Sequence, residues 1–460
     1  MRAKAQFDGT LHTEPDDATA PPSAGRGIFR FTGAVEDLGA EERAALFDRS
    51  TSGDDAVRTR VAAIVARVRR EGDAALLAMA REYDGVTFAS AAAFDVPRDR
   101  WREALAALDP ALRGAMERAA RNVAAAHRAF LPAPVEVETE PGVVVGRRAD
   151  PLAVVGVYAP GGRAAYPSSV LMGAVPARVA GVGTVVVCSP PCGDTGLPSP
   201  VVLAAAELAD ADRVFALGGA GAIAAMAHGT ATVPRVDRVV GPGNAYVAEA
   251  KRQLAGVVAI DSPAGPSELL VVCDFTADPA AVARELLAQA EHDPRAGVVA
   301  VAVGGEVAEQ VAAVVGDLLP AHPRQAIVRE ALAGQGGLLV AQTYDEGAAF
   351  ANRYAAEHVL LAVNEPIQGP LLERLRNAGT VFVGESSSVV FGDYMTGANH
   401  VLPTGGLARS YSGLSSLDFV RWTTYQRVSR SAARGMATDV AVFADAEGLP
   451  GHAAAARAFE

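Results

Sequence analysis

Residues 184–229 read TVVVCSPPCGDTGLPSPVVLAAAELADADRVFALGGAGAIAAMAHG, in which two short apolar runs alternate with two helix-forming segments. The runs TVVVCS and RVFAL are nearly continuous in apolar residues, as in parallel strands that are covered on both faces. The segments PVVLAAAELA and GAIAAMAHG that follow them predict helices. This alternation of strand and helix favours a doubly wound parallel sheet.

The same alternation extends in both directions from this stretch. It starts with LAVVGVY at residue 152 and continues to NAYVAEAKRQL, which ends at residue 254. A second series starts with SELLVVCD at residue 267 and ends with TVFVG at residue 384. We therefore expect an α/β fold with two doubly wound, Rossmann-like parallel sheets.

The segments outside the two series predict other structure. Residues 57–130 carry apolar residues at three- and four-residue intervals, which predicts a helical N-terminal region. A hairpin-like stretch, VVVGRRADPLAVVGVY, follows at residues 143–158. From about residue 415 to the end, the sequence predicts a separate helical segment. Residues 1–25 are rich in Pro, Asp, Ala, Thr and Gly, which is typical of a disordered leader.

Length, composition and charge limit the possible functions. The chain has 460 residues, so we expect two domains, and its net charge of −12 argues against binding to nucleic acid or to an anionic membrane. No run of about 18 apolar residues and no signal peptide is visible in the sequence. The three cysteines, Cys188, Cys192 and Cys273, favour small buried residues in a reducing compartment over a metal or disulfide site. The expected location is the cytoplasm.

Three glycine-rich turns follow predicted strands. Gly219, Gly221 and Ala224 fit the pattern G-x-G-x-x-A, in which glycines let the backbone approach a pyrophosphate at a helix N-terminus. The pattern is weak because no acidic ribose partner ends the next strand. The turn GPGN brings Asn244 to a helix start, either as an N-cap or as a cofactor contact, and Tyr158 opens the turn YAPGGR.

Two pairs of polar side chains stand at helix ends. Gln289 and His292 lie three residues apart, so they share one helix face, where they could hold a metal ion or simply be solvated. Glu357 and His358 stand where a helix gives way to a strand. An acid beside an imidazole suits paired proton transfers, although exposed Glu-His pairs also occur by chance.

Two further segments are too polar or too rich in turn residues to be expected in the hydrophobic core. Residues 388–406 pack Asp393, Tyr394, Asn399 and His400 between glycines, which favours a loop that lines a site. Ser267 follows a Gly-Pro turn and is either a substrate contact or a strand cap. Together these patterns favour a metal-assisted dehydrogenase over a binding module.

The order of these motifs resembles that of the histidinol dehydrogenase family. The resemblance extends from about residue 57 to the C-terminus and rests on the following segments: GVYAPGGRAAYPSSVLM, GPGNAYVAEAKRQ, PAGPSE, QAEH, YAAEH, GDYMTGANHVLPT and EGLPGHAAAARAF. It implies a zinc-dependent homodimer that oxidises L-histidinol through L-histidinaldehyde to L-histidine, the last steps of histidine biosynthesis, with two NAD.

The resemblance also implies roles for individual residues. The implied zinc ligands are Gln289, His292, Asp393 and His452, and the proton acceptors are Glu357 and His358. NAD would contact Tyr158 and Asn244. The substrate site would comprise Ser267, Gln289, His292, His358, Asp393, Glu447 and His452. By itself His452, eight residues from the end, would be dismissed as a frayed terminal residue.

The implied domain plan has five parts. After the leader, residues 26–157 form a helical region and the start of the first α/β domain, and residues 269–414 complete that domain. Residues 158–268 form a second, inserted α/β domain. Residues 415–460 form a helical arm that is exchanged in the dimer and reaches the partner's active site.

The sequence departs from the family at Gly221, where GGAGAIA stands in place of GGAQAIA. The family's glutamine contacts NAD, so only a backbone contact remains at this position. Met395 and Thr396 lie inside the loop after Asp393, where they could alter its packing.

Two other functions stay open on the sequence. One is a related zinc and NAD dehydrogenase that acts on another small alcohol, such as a sulfonated diol. Glu447 favours histidinol, because a carboxylate suits a cationic amine or imidazole, whereas a sulfonate would call for arginine. The other is a zinc-dependent hydrolase, against which the three glycine-rich turns argue.

Overall fold

The computed structural model describes residues 26–49, 54–161 and 165–460, so the expected leader at 1–25 lies outside the described residues. The strands of the described residues are β1 (Phe31–Ala34), β2 (Val135–Glu140), β3 (Val143–Pro151), β4 (Val154–Tyr158), β5 (Thr184–Ser189), β6 (Arg213–Ala216), β7 (Arg238–Val240), β8 (Ala259–Ile260), β9 (Glu268–Asp274), β10 (Gly297–Val303), β11 (Gly336–Ala341), β12 (His358–Ala362), β13 (Thr380–Val383) and β14 (Val420–Val428).

Helices connect and cover these strands. They are α1 (Ala40–Phe47), α2 (Asp55–Glu71), α3 (Asp73–Tyr83), α4 (Arg98–Ala106), α5 (Pro110–Ala129), α6 (Pro167–Ala180), α7 (Pro200–Leu208), α8 (Gly219–His228), α9 (Ala245–Leu254), α10 (Pro279–Ala290), α11 (Gly305–Leu318), α12 (Gln325–Gln335), α13 (Tyr344–Tyr354), α14 (Glu365–Arg374), α15 (Val389–Tyr394), α16 (Arg430–Ala446) and α17 (Pro450–Arg457). Among the described residues no helix is both long and apolar enough to cross a lipid bilayer.

Two parallel sheets confirm the α/β fold class. The larger sheet has the strand order β1-β11-β10-β9-β12-β13, and the smaller has the order β6-β5-β4-β7-β8. Every strand pairing in both sheets is parallel. The central strands β9 and β12 are buried along their whole length, because apolar side chains on both of their faces pack under helices.

A third sheet corrects two sequence predictions. β2, β3 and β14 form an antiparallel sheet. The hairpin therefore joins β2 to β3, one strand earlier than expected, and β4 belongs to the smaller parallel sheet. The prediction of a helix over residues 420–428 was wrong, because these residues form β14, which pairs with β3. Their sequence, VRWTTYQRV, is rich in β-branched and aromatic residues, which favour strands. The rest of the C-terminal segment is helical, in α16 and α17.

The two parallel sheets meet at opposite edges. The turns after β4, β6 and β7 lie at the carboxyl edge of the smaller sheet, whereas Glu268 and His358 open β9 and β12 at the amino edge of the larger one. A cleft of about 180 Å³ lies between the start of α9 and the segments that lead into β9 and β10. One wall of this cleft is the glycine-rich turn at Gly243 and Asn244, and the other is the segment 263–266, which leads to Glu268 at the start of β9.

Asp274 ends β9 at the carboxyl edge of the larger sheet, the edge at which ligands usually bind in such folds. This carboxylate accepts hydrogen bonds from the Tyr344 hydroxyl (2.7 Å), the Asn364 amide (3.0 Å) and both donors of Thr276. Asp274 is fully buried. Its hydrogen bonds connect the end of β9 to Tyr344 and to Asn364, which follows β12.

Candidate active site

The Glu-His pair is positioned by a sharp change from helix to strand. Ala355 adopts a left-handed conformation (φ 52°) at the end of α13, which is uncommon for a residue with a β-carbon. The chain then enters β12 within three residues. Glu357 and His358 are consequently held at the amino edge of a central strand, and both are about 95% buried.

Backbone groups of Glu268 orient both members of the pair. His358 Nδ1 lies 3.0 Å from the carbonyl oxygen of Glu268, and a carbonyl can only accept, so Nδ1 carries the hydrogen. The Glu268 amide donates to Glu357 Oε2 at 2.8 Å. His358 Nε2 is buried, has no hydrogen-bond partner among the described residues, and lies 3.7 Å from Asp393 Oδ1. In the neutral ring this nitrogen carries the lone pair, so it is the atom at which His358 would accept a proton.

Burial and charge set the protonation of the pair. Burial raises the pKa of Glu357 to about 7. Burial lowers the pKa of His358, but the carboxylates of Glu357 and Asp393 outweigh it and raise that pKa to about 9. Glu357 Oε2 and His358 Nδ1 are 3.6 Å apart, so the two groups titrate as a coupled pair.

The Glu268 side chain also contacts this part of the site, through three neighbouring groups. Its Oε1 accepts from the Gly405 amide at 2.7 Å and pairs with Arg49 Nε at 3.4 Å. Its Oε2 accepts from the Glu357 amide at 3.4 Å. Burial raises the pKa of Glu268, while Arg49 opposes that shift. The carboxylate joins the start of β12 to the loop that carries Gly405.

Nitrogen and oxygen donors gather next to the pair. Gln289 is buried in the last turn of α10, and His292 follows that helix. Asp393 lies on α15, and its charge interacts with those of His358, His400 and His292. His400 Nδ1 lies 3.0 Å from the Asp393 carbonyl. The structure therefore places Asp393 near His358 and His292, and Gln289 lies at the end of the helix that precedes His292. The metal role of these residues stays a prediction.

The residue types of this donor set fit zinc in chemistry. Zinc accepts imidazole nitrogen and carboxylate oxygen, which His292 and Asp393 supply beside Gln289. Within residues 26–49, 54–161 and 165–460, no three His, Cys, Asp or Glu side chains are grouped so that they could hold a metal ion. A further ligand would have to come from outside this cluster.

Glu447 and His452 are not part of the cluster within this chain. Glu447 caps the end of α16 and His452 lies in α17, and both are exposed. The two helices pack mainly on each other, through Ala441, Ala444 and Ala453. Their outer faces leave large apolar side chains exposed: Phe443 is 70% exposed and Val442 is 64% exposed.

The two residues expected to contact NAD lie at the edge of the smaller sheet. Asn244 Oδ1 accepts from the amides of Tyr246 (3.0 Å) and Val247 (3.2 Å), so it is the N-cap of α9, and it also lines the cleft. Tyr158 is 96% buried, and its hydroxyl accepts from the Gly219 amide at 3.0 Å. Burial raises the pKa of Tyr158 to about 12. Tyr158 thus ties the end of β4 to the start of α8.

Gly221 is buried in the first turn of α8. A β-carbon there would lie 3.2 Å from Met79 Sδ and 3.6 Å from Leu76 Cδ2, both on α3. The space next to position 221 is therefore filled by α3 in this chain.

Ser267 is half-buried, directly before Glu268, and its carbonyl accepts from the Gly297 amide at 3.0 Å. Its place at the amino edge of the larger sheet agrees with a position beside the pair. Asn399, from the polar loop, binds the Met172 carbonyl at 2.8 Å and is structural.

No pattern in the sequence predicts a role for Glu268, Arg49 or His400 in the site. Glu268 had one visible signal, because a glutamate at the start of a continuous apolar strand is unusual. His400 stood in the loop singled out as polar, but nothing in the sequence linked it to Asp393. Arg49 carried no signal.

The fold has two Rossmann-like sheets. Glycine-rich turns lie at the carboxyl edge of one sheet and a buried acid–base pair lies at the amino edge of the other, as expected of an α/β enzyme. The family model for histidinol dehydrogenase matches residues 47–458. The chain belongs to the histidinol dehydrogenase family and is an oxidoreductase.

Individual relatives agree with this assignment. The chain is 48% identical to a histidinol dehydrogenase of Haloarcula marismortui, over 92% of this chain and 98% of the relative. It is 49% identical to that of Halobacterium salinarum, over 92% and 97%. The crystal structure of histidinol dehydrogenase from Elizabethkingia anophelis aligns with a TM-score of 0.88 at 33% identity, over 94% of this chain and 98% of that one.

Proposed function

We propose that this protein is a zinc-dependent L-histidinol dehydrogenase that converts L-histidinol to L-histidine through L-histidinaldehyde, with two NAD. Family membership supports the reaction. The observation that carries the chemistry is the bond from His358 Nδ1 to the Glu268 carbonyl, which leaves Nε2 as the free nitrogen.

In the first step, the neutral form of His358 takes the proton of the alcohol at Nε2 while hydride leaves the carbon for the nicotinamide. Because the pKa of His358 is raised to about 9, this step should become faster as the pH rises towards that value. In the second step, Glu357 takes a proton from the water that adds to the aldehyde, and the carbon of the resulting hydrate passes a hydride to the second NAD, which leaves the carboxylic acid. A carboxyl whose pKa is raised to about 7 is matched to accepting a proton near neutral pH. The division of roles follows from the two environments of one coupled pair.

Zinc, when bound, would anchor the amino and imidazole groups of histidinol and orient its alcohol carbon. Gln289, His292 and Asp393 would hold it together with His452 of the partner subunit. The same residues, with Ser267, His358 and Glu447, would form the substrate site. Tyr158 and Asn244 would contact NAD at the carboxyl edge of the smaller sheet.

A homodimer with shared sites would supply the missing ligand. The helical arm exposes Phe443 and Val442, and α15, which carries Asp393, exposes Phe391 (53%) and Tyr394 (57%). Exposed apolar groups of this kind mark interaction surfaces. An arm that packs against the partner's α15 would bring Glu447 and His452 to the donor cluster and would cover both sets of side chains. We place this biosynthetic enzyme in the cytoplasm.

Substrate turnover separates this proposal from its rivals. Purified protein with zinc and NAD is offered L-histidinol or a sulfonated diol, and NADH is followed by absorbance. NADH formation with histidinol alone supports the proposal. Turnover of the sulfonated diol and not of histidinol would retain the family chemistry but overturn the substrate. Hydrolytic activity that does not depend on NAD would favour the zinc hydrolase.

A further inference from the structure

A buried ion pair lies behind the glycine-rich turn that leads into α9. The ammonium of Lys251, on α9, contacts the carboxylate of Asp261, which follows β8, and the two side chains are 2% and 5% exposed. Lys251 Nζ also donates to the Gly241 carbonyl at 3.1 Å, and Asp261 Oδ2 accepts from the Gly241 amide at 2.8 Å. The three residues form a closed polar ring around one backbone position.

Gly241 cannot be replaced by a larger residue in this conformation. Its φ is +113°, and a β-carbon would lie 2.1 Å from the carbonyl oxygen of Tyr158. The turn therefore presses against the end of β4, and both polar groups of its first residue are held by the ion pair. Two residues later the chain reaches Gly243 and Asn244, which line the cleft.

Asp261 also anchors the opposite wall of the cleft. It begins the segment that continues through residues 263–266, all of which line the cleft, to Ser267 and Glu268. The backbone of Glu268 holds Glu357 and His358. One ion pair thus connects the wall formed by the start of α9 to the strand that orients the acid–base pair.

Holding two charges out of water is expensive, and well-packed apolar residues often stabilise a fold as well or better. What an apolar pair cannot do is bind the amide and the carbonyl of Gly241 at once. The structural gain from these charges is therefore the orientation of the turn rather than the stability of the domain. If this wall of the cleft is already ordered in the free protein, ligand binding carries no entropy cost for ordering the wall.

We propose that Lys251 and Asp261 are positioning residues that hold the cleft in the shape that binds the dinucleotide. They touch neither cofactor nor substrate and act through Gly241 and the segment 261–266. This inference rests on the proposed function, since it takes the cleft between α9 and β9 as the NAD side of the site.

The test uses a double variant in which both charges are removed, Lys251→Met with Asp261→Leu, so that no unpaired charge stays buried. NAD binding to the full-length zinc-loaded protein is measured by isothermal titration calorimetry, with thermal unfolding measured in parallel. The matched control is Arg178→Met. Arg178 pairs with Asp212 just before β6, at the opposite edge of the same sheet, so its loss perturbs the domain without touching the cleft.

We expect the double variant to unfold below the wild-type temperature, because the buried amide and carbonyl of Gly241 lose their partners, but to remain folded at the assay temperature. It should bind NAD at least about tenfold more weakly, because the turn is no longer pre-organised. The KM for NAD should rise while the KM for histidinol stays within about twofold of wild type. Arg178→Met should keep the wild-type Kd for NAD.

Wild-type NAD affinity in the double variant would overturn the inference, and so would an equal loss of affinity in Arg178→Met. If the wild-type protein itself binds no NAD, the proposed function fails instead, so the two failures are distinguishable.

Discussion

The imidazole of His358 is held through Nδ1 by the backbone carbonyl of Glu268, 3.0 Å away, and its Nε2 is left buried without a partner. The bond joins the first residues of two adjacent parallel strands, β12 and β9. Because a backbone carbonyl cannot turn away as a side chain can, the ring has one tautomer and one orientation in its neutral form. That fixed Nε2 is the basis of the reaction proposed for this chain.

His358→Asn separates the structural bond from the chemistry. The asparagine amide can take the place of Nδ1 and donate to the Glu268 carbonyl, but nothing replaces Nε2. We expect an intact fold and a loss of about 10²- to 10⁴-fold in kcat for histidinol oxidation, the usual contribution of a general base. Stopped-flow NADH formation from histidinol and from histidinaldehyde measures the two steps separately.

The control for this variant is His228→Asn, at the far end of α8, which should keep wild-type activity. If His358→Asn oxidises histidinol at the wild-type rate, His358 is not the base.

Substitutions at Gly221 and Met79 should have non-additive effects on the free energy of unfolding. A glutamine at position 221 meets Met79 Sδ where even a β-carbon would be 3.2 Å away. We expect Gly221→Gln to lower the free energy of unfolding by about 1–3 kcal/mol through overpacking. Met79→Ala should cost less in the Gly221→Gln background than in the wild type. Urea unfolding of the four proteins gives the coupling energy, and strictly additive effects would mean that the two positions do not share this space.

His127 makes the fold sensitive to acid. Its Nδ1 accepts from the Ser416 amide at 3.2 Å, and burial lowers its pKa from 6.5 to about 4. The unfolded chain therefore binds a proton at a higher pH than the folded chain does. This stability is present above about pH 6.5 and is lost as the pH falls towards about 4, by up to about 3 kcal/mol.

The comparison protein is His127→Asn, which cannot titrate there. Its deficit in unfolding free energy relative to wild type should shrink between pH 7 and pH 5 in urea titrations. A deficit that is independent of pH would mean that His127 titrates normally in the folded protein.

Sharing of sites between subunits can be tested by mixing variants. A His452→Ala chain should have low zinc content and little activity, and a chain with Glu357→Ala and His358→Ala should be inactive. In dimers that contain one chain of each kind, one site regains a complete set of residues, so activity should return towards half of the wild-type value per dimer. Refolding the two chains together and assaying the product measures this. No recovery in verified mixed dimers would mean that each chain completes its own site.

The parallel sheets could be predicted from sequence because buried strands are locally apolar on both faces. β14 was not predicted, although Trp422, Thr423 and Tyr425 are residue types that favour strands, because its pairing partner β3 is distant in the sequence. β1 escaped prediction for a related reason. Its four residues, FTGA, carry almost no pattern, and it exists because β11 offers an edge.

The site was predictable where neighbours in sequence act together and not where distant segments meet. Glu357 and His358 are adjacent, and Gln289 and His292 are three residues apart, so both patterns are visible in the sequence. The expected shared helix face was wrong in one respect, because α10 ends at Ala290 and His292 lies beyond it. The support that Glu268 gives depends on Arg49 and Gly405, which are far apart along the chain. The ring of Lys251, Asp261 and Gly241 was invisible for the same reason.

The most direct test of the proposed function is the amount of NADH formed per histidinol consumed to completion, with zinc and excess NAD. Two hydride transfers at one site predict two NADH and L-histidine as the product, identified by mass spectrometry. One NADH with histidinaldehyde released, or no NADH at all, would contradict the proposed four-electron oxidation.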